Sequence, residues 1–263
     1  MEDSEIRIRH YSSKHKILLV GEGDFSFSLC LASAFGSATN ITATSLDSED
    51  ELSKKYMDAM VNVSMLARFG CDVQHEVDVH TMSFDNSLSL RRYDRIVFNF
   101  PHAGSRFFGR EFSSKAIEGH RVLVQGFLEN AKEMLEENGE IHITHKTTYP
   151  FSDWEIERLA KAEGLKLAKE SKFERSHYPG YNNKRGSGGR ESDKYFPVGE
   201  CSTLMIKNSN LKTIYSFPLT LKKPPPPTDR LFLNTMVKPT AKDPPLMGGI
   251  LNLQGLRSKL YSS

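Results

Sequence analysis

Lys16 to Ser28 reads KILLVGEGDFSFS. Five residues, Lys16 to Val20, form a short apolar run that stops at a glycine-rich turn, the way a buried parallel strand reads. Phe25 to Phe35 follows with small and apolar residues at helical spacing, and Gly36 supplies a stop. A strand running through a GxG turn into a helix is the opening unit of an open α/β sheet. Ligands bind such sheets beyond the carboxyl ends of the strands, near the point where strand order reverses. Glycine lets the backbone approach a ligand, and the helix N-terminus adds N–H donors. The stretch Gly21, Glu22, Gly23, Asp24, Phe25 and Ser26 is therefore the candidate cofactor turn. Ser26 stands where a dinucleotide fingerprint has its third glycine, and a simple tight turn is the alternative reading of a bare GxG.

Outward from this unit, strands and helices alternate. Ile41 to Leu46, Val73 to Val79, Tyr93 to Phe100, Glu140 to Lys146, Leu165 to Phe173 and Ser202 to Lys207 read as further strands. Ser48 to Phe69, Ser113 to Asn138 and Ser152 to Glu163 read as helices. Gly70, Gly139 and Gly164 are the expected stops. Alternation predicts a mostly parallel sheet with helices on both faces. The last two strands have no helix between them and are expected to pair antiparallel. Seven strands ending this way predict the Rossmann-like methyltransferase architecture over residues 14 to 207. Residues 1 to 13 are expected to be an N-terminal extension, and 208 to 263 a largely irregular tail with a short helix near Leu251 to Leu260.

Two carboxylates mark the next strand ends. Asp47 lies 26 residues after Gly21, where a carboxylate can accept hydrogen bonds from both ribose hydroxyls of a nucleoside cofactor. Capping of the following helix is its other reading. Asp78 stands where a polar group can meet an adenine edge, or it is a turn residue. The fourth strand ends beside the cofactor in Asn99-Phe100-Pro101-His102, and Asn99 is a candidate cofactor contact as well. Pro101 halts the strand, Asn99 can both donate and accept toward a base edge, and His102 can take a proton near neutral pH. The alternative for His102 is a surface histidine beside a proline turn. Ser176 to Lys194 mixes Tyr178, Tyr181, Lys184, Arg185 and Arg190 with four glycines. Its aromatics and cations suit unpaired bases and phosphates, against a solvated loop as the other reading.

Charge is unevenly distributed. Lys207 to Ser263 holds nine Lys and Arg against two Asp, a balance of +7, while the preceding residues balance at −5. A basic, proline-rich tail on a mildly acidic body suits a polyanionic partner. The three scattered cysteines fit a reducing compartment and form no zinc pair, so no metal site is expected. Nothing approaches the ~18 consecutive apolar residues of a membrane span. HExxH, nucleophile-elbow and Walker signatures are absent.

GEGDFSFS (21–28), NFPHAG (99–104), PFSDWEIERLAKAEGL (150–165) and HYPGYNNKRG (177–186) resemble the 25S rRNA uridine-N3-methyltransferase-like family, from about Lys14 to Lys207. The resemblance implies a class I methyltransferase fold and S-adenosyl-L-methionine as methyl donor. It also implies a uridine of large-subunit ribosomal RNA, free or in a pre-ribosomal particle, as acceptor. Its expected location is the nucleus, within it the nucleolus, with the cytoplasm as the other compartment. By position, Gly21, Gly23 and Asp47 hold the cofactor, and Asn99 to His102 face the base. Two other functions compete. One is a catalytically degenerate binding protein acting in ribosome assembly or another RNA–protein complex. The other is a nicotinamide-dependent oxidoreductase, disfavoured by Ser26 and by the terminal strand pair.

Overall fold

The structure is a computed structural model that describes residues 4–104, 110–186 and 191–209. Its main sheet has seven strands: β3 (Ile17–Val20), β4 (Ile41–Thr44), β5 (Asp72–Gln74), β6 (Tyr93–Asn99), β7 (Leu135–Lys146), β8 (Leu165–Lys172) and β9 (Cys201–Asn208). Their order across the sheet is β5-β4-β3-β6-β7-β9-β8. All neighbouring pairs are parallel except those of β9, which runs antiparallel to both β7 and β8. The order reverses between β3 and β6, and this switch point fixes where a ligand crevice opens. This is the class I methyltransferase fold expected from the strand count and the helix-free final connection.

Side-chain alternation along β3 builds two cores. Ile17 and Leu19 face α1 (Ser26–Phe35) and α3 (Ala59–Arg68); Leu18 and Val20 join residues of α4 (Ser114–Glu133) and α5 (Ile156–Ala162) on the other face. All four β3 side chains are buried, as the continuous apolar run requires.

Four expectations need correction. The helix expected over Ser152 to Glu163 is a short 3-10 turn, Phe151–Trp154, followed after Glu155 at φ 52° by α5. The helix over 48–69 is two helices, α2 (Glu49–Lys55) and α3, because Tyr56 is extended at φ −135° and ψ 122°. Leaving the helix lets the Tyr56 ring be buried, 4% exposed, against the glycine turn instead of facing solvent. The helix from Ser113 stops at Glu133, with Ser113 as its N-cap, and Gly139 lies inside β7. The β6–β7 register slips there, and a Cβ on Gly139 would stand 2.8 Å from the Tyr93 carbonyl oxygen, so glycine serves a bulge. The third strand ends at Gln74, and Glu76 then adopts φ 60°.

The N-terminal residues are more ordered than an extension. β1 (Arg7–Ile8) and β2 (Tyr11–Ser12) form a small antiparallel hairpin. Tyr11 is 1% exposed and packs edge-on against Phe27 of α1. The expected helix near Leu251 to Leu260 and Arg190 both lie outside the described residues. Among the described residues, no helix is long and apolar enough to cross a membrane.

Candidate functional site

The turn after β3 packs closely at both glycines, and at Gly21 the contact leaves no room for a side chain. Gly21 has φ +65°, and a Cβ there would lie 2.5 Å from Cε2 of Phe98 on the neighbouring strand. Gly23 has the Tyr56 hydroxyl 3.3 Å from where its Cβ would stand. The Glu22 N–H donates to the Thr44 carbonyl at 2.9 Å, tying the tips of β3 and β4 together. Phe25 adopts φ 60° to start α1 and is fully buried.

Both acids of this turn are buried. The Glu22 carboxylate accepts from the Ser28 hydroxyl at 2.7 Å and the Ser28 N–H at 3.1 Å; burial outweighs these bonds and pushes its carboxyl up to about 7. Asp24 Oδ1 accepts from the Ser26 N–H at 3.0 Å, while its buried Oδ2 has no partner in the chain. Burial raises the Asp24 carboxyl as well.

Asp47 follows β4 and is partly buried in an ion pair with Lys55. It does not cap α2. Ser48 does, in a reciprocal capping box with Glu51. Asp78 accepts from the His80 N–H at 2.9 Å, a local turn contact.

Asn99 ends β6. β6 runs beside β3 with Phe98 opposite Val20, which sets Asn99 at the same sheet edge as the glycine turn. Its Oδ1 and Nδ2 are both buried and neither has a partner in the chain. Leaving a buried amide unsatisfied costs about 1–3 kcal/mol per group, so such atoms call for a ligand or another explanation. Phe100 then takes φ 49°, Pro101 is buried, and His102 is exposed.

His102 is not a free base in this geometry. Its Nδ1 accepts from the Gly104 N–H at 2.9 Å, and its Nε2 lies 3.2 Å from Glu111 Oε2. Glu111 also lies beside His120, so three groups of metal-ligating type share one place where no metal site was expected.

The loop between β8 and β9 reaches back over the turn. The Asn182 N–H donates to Ser26 Oγ at 2.8 Å, and Ser26 Oγ lies 3.3 Å from the Asn182 carbonyl. The Tyr56 hydroxyl is also 3.1 Å from where a Gly186 Cβ would stand, so Tyr56 touches both turn and loop. Tyr178 is 4% exposed and stacks on Phe173 at 5.4 Å between ring centres; Tyr181 packs edge-on against Phe27 at 5.1 Å. Both rings anchor the loop to the core. Lys184 is paired with Asp193 at 2.7 Å, and Arg185 is exposed. The open ring is Tyr195, 54% exposed, with Lys184 Nζ 4.9 Å and the Arg175 guanidinium 6.0 Å from its centre. A cleft of about 730 Å³ lined by Arg175, Tyr178, Pro179, Tyr181, Asn182 and Tyr195 lies on this loop. Tyr195 lies one residue past the stretch singled out in the sequence. Tyr56, Glu111 and His120 carried no spacing signal at all.

The strand order, with a glycine turn at its switch point, describes a methyl-transfer fold, and the sequence comparison decides its lineage. The family model described as BMT5-like, rRNA (uridine-N3-)-methyltransferase BTM5-like, matches residues 18–185. The chain belongs to this BMT5-like family. The cofactor of the family is S-adenosyl-L-methionine, and the unpartnered polar atoms of Asp24 and Asn99 at the switch-point edge fit a polar ligand there.

Among relatives of this BMT5-like chain, an uncharacterized protein of Arabidopsis thaliana is 81% identical over 209 residues, covering 80% of the chain and all of that protein. Heavy metal-associated isoprenylated plant protein 41 of the same plant is 50% identical over 81% of the chain, which spans 41% of that longer protein. The 25S rRNA (uridine(2634)-N(3))-methyltransferase of Saccharomyces cerevisiae is 26% identical, covering 72% of the chain and 71% of that enzyme.

Proposed function

We propose that this BMT5-like protein methylates N3 of a uridine in large-subunit ribosomal RNA, using S-adenosyl-L-methionine, and does so in the nucleolus. The observation that carries the reading is Asn99: a buried amide at the switch-point edge whose donor and acceptor are both unsatisfied by the chain. Uridine presents a carbonyl on either side of N3–H. An amide that donates through Nδ2 to one of these carbonyls fixes the ring and stabilises the charge left when N3 loses its proton, with N3 itself left open to the methyl.

In this reading Gly21 and Gly23 offer bare backbone to the cofactor, and Glu22, Asp24, Phe25 and Ser26 shape that turn. Asp47 meets the ribose once Lys55 shares or releases it, and Asp78 lies toward the adenine side. The bound cofactor supplies an electrophilic methyl group. Asn99 and the Pro101 turn hold the base so that N3 meets that methyl in line, which is catalysis by alignment. The N3–H is a weak acid whose proton passes to solvent water before transfer, leaving the N3 lone pair to take the methyl, and the base must be unstacked to enter the crevice. Arg175, Arg185 and Tyr195 are the cations and open ring available to the flanking RNA, with Lys184 held by Asp193 against the Tyr195 ring and Tyr178 and Tyr181 fixing the loop that carries them.

Nucleotide-resolution mapping of modified nucleosides in large-subunit rRNA tests this. The expected result is one N3-methyluridine present with the gene and absent without it, restored by the wild-type chain and not by Asn99→Ala. An unchanged modification map in the absence of the gene contradicts the proposal.

A further inference from the structure

The turn that presents Asn99 is fastened by three side chains with no part in the chemistry above. His102 follows Pro101 in the turn itself. His120 is 1% exposed on α4 and stacks on the buried Trp154, 4.2 Å away at 19°. Glu111 lies between them: His102 Nε2 is 3.2 Å from Oε2, and His120 Nε2 is 3.2 Å from Oε1, off the line of an ideal hydrogen bond.

The backbone decides which ring nitrogens carry protons. The Gly104 N–H donates to His102 Nδ1 at 2.9 Å, and the Ala103 N–H donates to His120 Nδ1 at 3.1 Å. A neutral imidazole has one N–H, so a ring that accepts at Nδ1 carries its proton on Nε2. His102 Nε2–H then bonds Glu111 Oε2, while His120 Nε2–H stands 3.2 Å from Oε1 in an electrostatic contact without hydrogen-bond geometry. The two imidazoles hold the Glu111 carboxyl well below the usual carboxylate range, which keeps it anionic.

The same atoms have the composition of a two-histidine, one-carboxylate metal site, and all lie within 4.8 Å of one another. Their surroundings are wrong for it. A histidine that ligates through Nε2 donates its Nδ1–H to a carbonyl or carboxylate. Here each Nδ1 faces a backbone N–H, so metal at Nε2 would set two donors against each other in both rings.

We infer that His102, Glu111 and His120 form a metal-free clamp that fixes the Asn99–Gly104 turn, with all three acting as positioning residues and His102 not as the proton acceptor. The catalytic part of this inference rests on the proposed methyl transfer; the clamp itself does not.

Long-range ¹H–¹⁵N correlation of the histidine rings in the full chain reads the tautomers directly. Both rings are expected as Nε2–H. In Glu111→Ala the Ala103 and Gly104 amides should exchange at least about tenfold faster. His120→Asn, which sets an acceptor where Nδ1 stood, should keep the Ala103 amide protected; His120→Gln, which replaces only the Nε2 end, should not. With large-subunit rRNA from cells lacking the gene as substrate, Glu111→Ala should lower kcat while leaving the KM for S-adenosyl-L-methionine within about twofold. Nδ1–H tautomers with one equivalent of zinc in the purified protein would overturn the clamp, as would unchanged amide exchange in Glu111→Ala. Absence of methyl transfer by the wild type would strike the proposed function and leave the tautomer and exchange results standing.

Discussion

Ser26 and Asn182, 156 residues apart in the chain, hold each other by hydrogen bonds at the N-terminus of α1. Asn182 N–H donates to Ser26 Oγ at 2.8 Å, and the same hydroxyl reaches the Asn182 carbonyl at 3.3 Å. A glycine at 26 would satisfy a dinucleotide turn but could not make this contact. The serine therefore couples the glycine turn to the loop that covers it.

Loss of that contact has a local signature. Ser26→Ala removes both interactions and should destabilise the protein by about 1–2 kcal/mol, given 0.5–1.5 kcal/mol for a typical hydrogen bond. Chemical denaturation checks the size. Hydrogen exchange should show faster opening at Asn182 to Gly186 than in the helices of the core.

Gly21 is demanded by Phe98 as well as by its positive φ. Gly21→Ala should cost about 2–4 kcal/mol, the sum of left-handed backbone strain and an overpacked contact. In a Phe98→Leu background the same substitution should cost about 1 kcal/mol less, a coupling that a double-mutant cycle reads. Equal costs in the two backgrounds would mean that the Phe98 contact does not act.

Glu22 gives stability a pH dependence whose sign is fixed by its raised carboxyl, from 4.5 to about 7. Below pH 4.5 folded and unfolded chains both hold the proton. Between 4.5 and about 7 the folded chain keeps a proton that the unfolded chain has lost, so this group's contribution falls as pH rises, and the loss is complete above 7. The full effect is about 3 kcal/mol. Glu22→Gln should flatten this part of the profile, making the difference between variant and wild type grow across the window in denaturant titrations.

Asn99 separates recognition from fold. Asn99→Ala should leave the melting temperature near or above that of the wild type, because the change removes a buried amide the chain does not satisfy. Methyl transfer to rRNA should fall by about a hundredfold, the scale for deleting one positioned hydrogen-bonding group. A large drop in stability would show that Asn99 serves the fold.

The sheet was legible because its signals are local. The Lys16–Val20 run, the β-branched Ile41 to Thr44 stretch and the missing helix before β9 each fix a strand by composition alone. The strand-end positions of Gly21 and Asn99 were legible too, since each stands at the close of an apolar run. The break at Tyr56 was not: Glu51 to Phe69 keeps helical spacing throughout, and the ring leaves the helix for partners at Gly23 and Gly186. Gly139 reads as a helix stop and a bulge equally well until the neighbouring strand is known, where Tyr93 pairs with Leu135 and Arg95 with Glu140. Tyr178 and Tyr181 sit in a glycine-rich basic loop, and only Phe27 and Phe173 reveal them as core residues. The clamp was invisible because His102, Glu111 and His120 belong to a turn and a helix that meet only in space.

The adenosyl cradle formed by the tips of β3 and β4 is the claim on which the remainder depends. Calorimetric titration of S-adenosyl-L-methionine into the wild type and Asp47→Ala tests it most directly. The account predicts one site in the wild type and at least about tenfold weaker binding in the variant, a loss of about 1.4 kcal/mol. Equal affinity in the two proteins, or no binding to either, would contradict it.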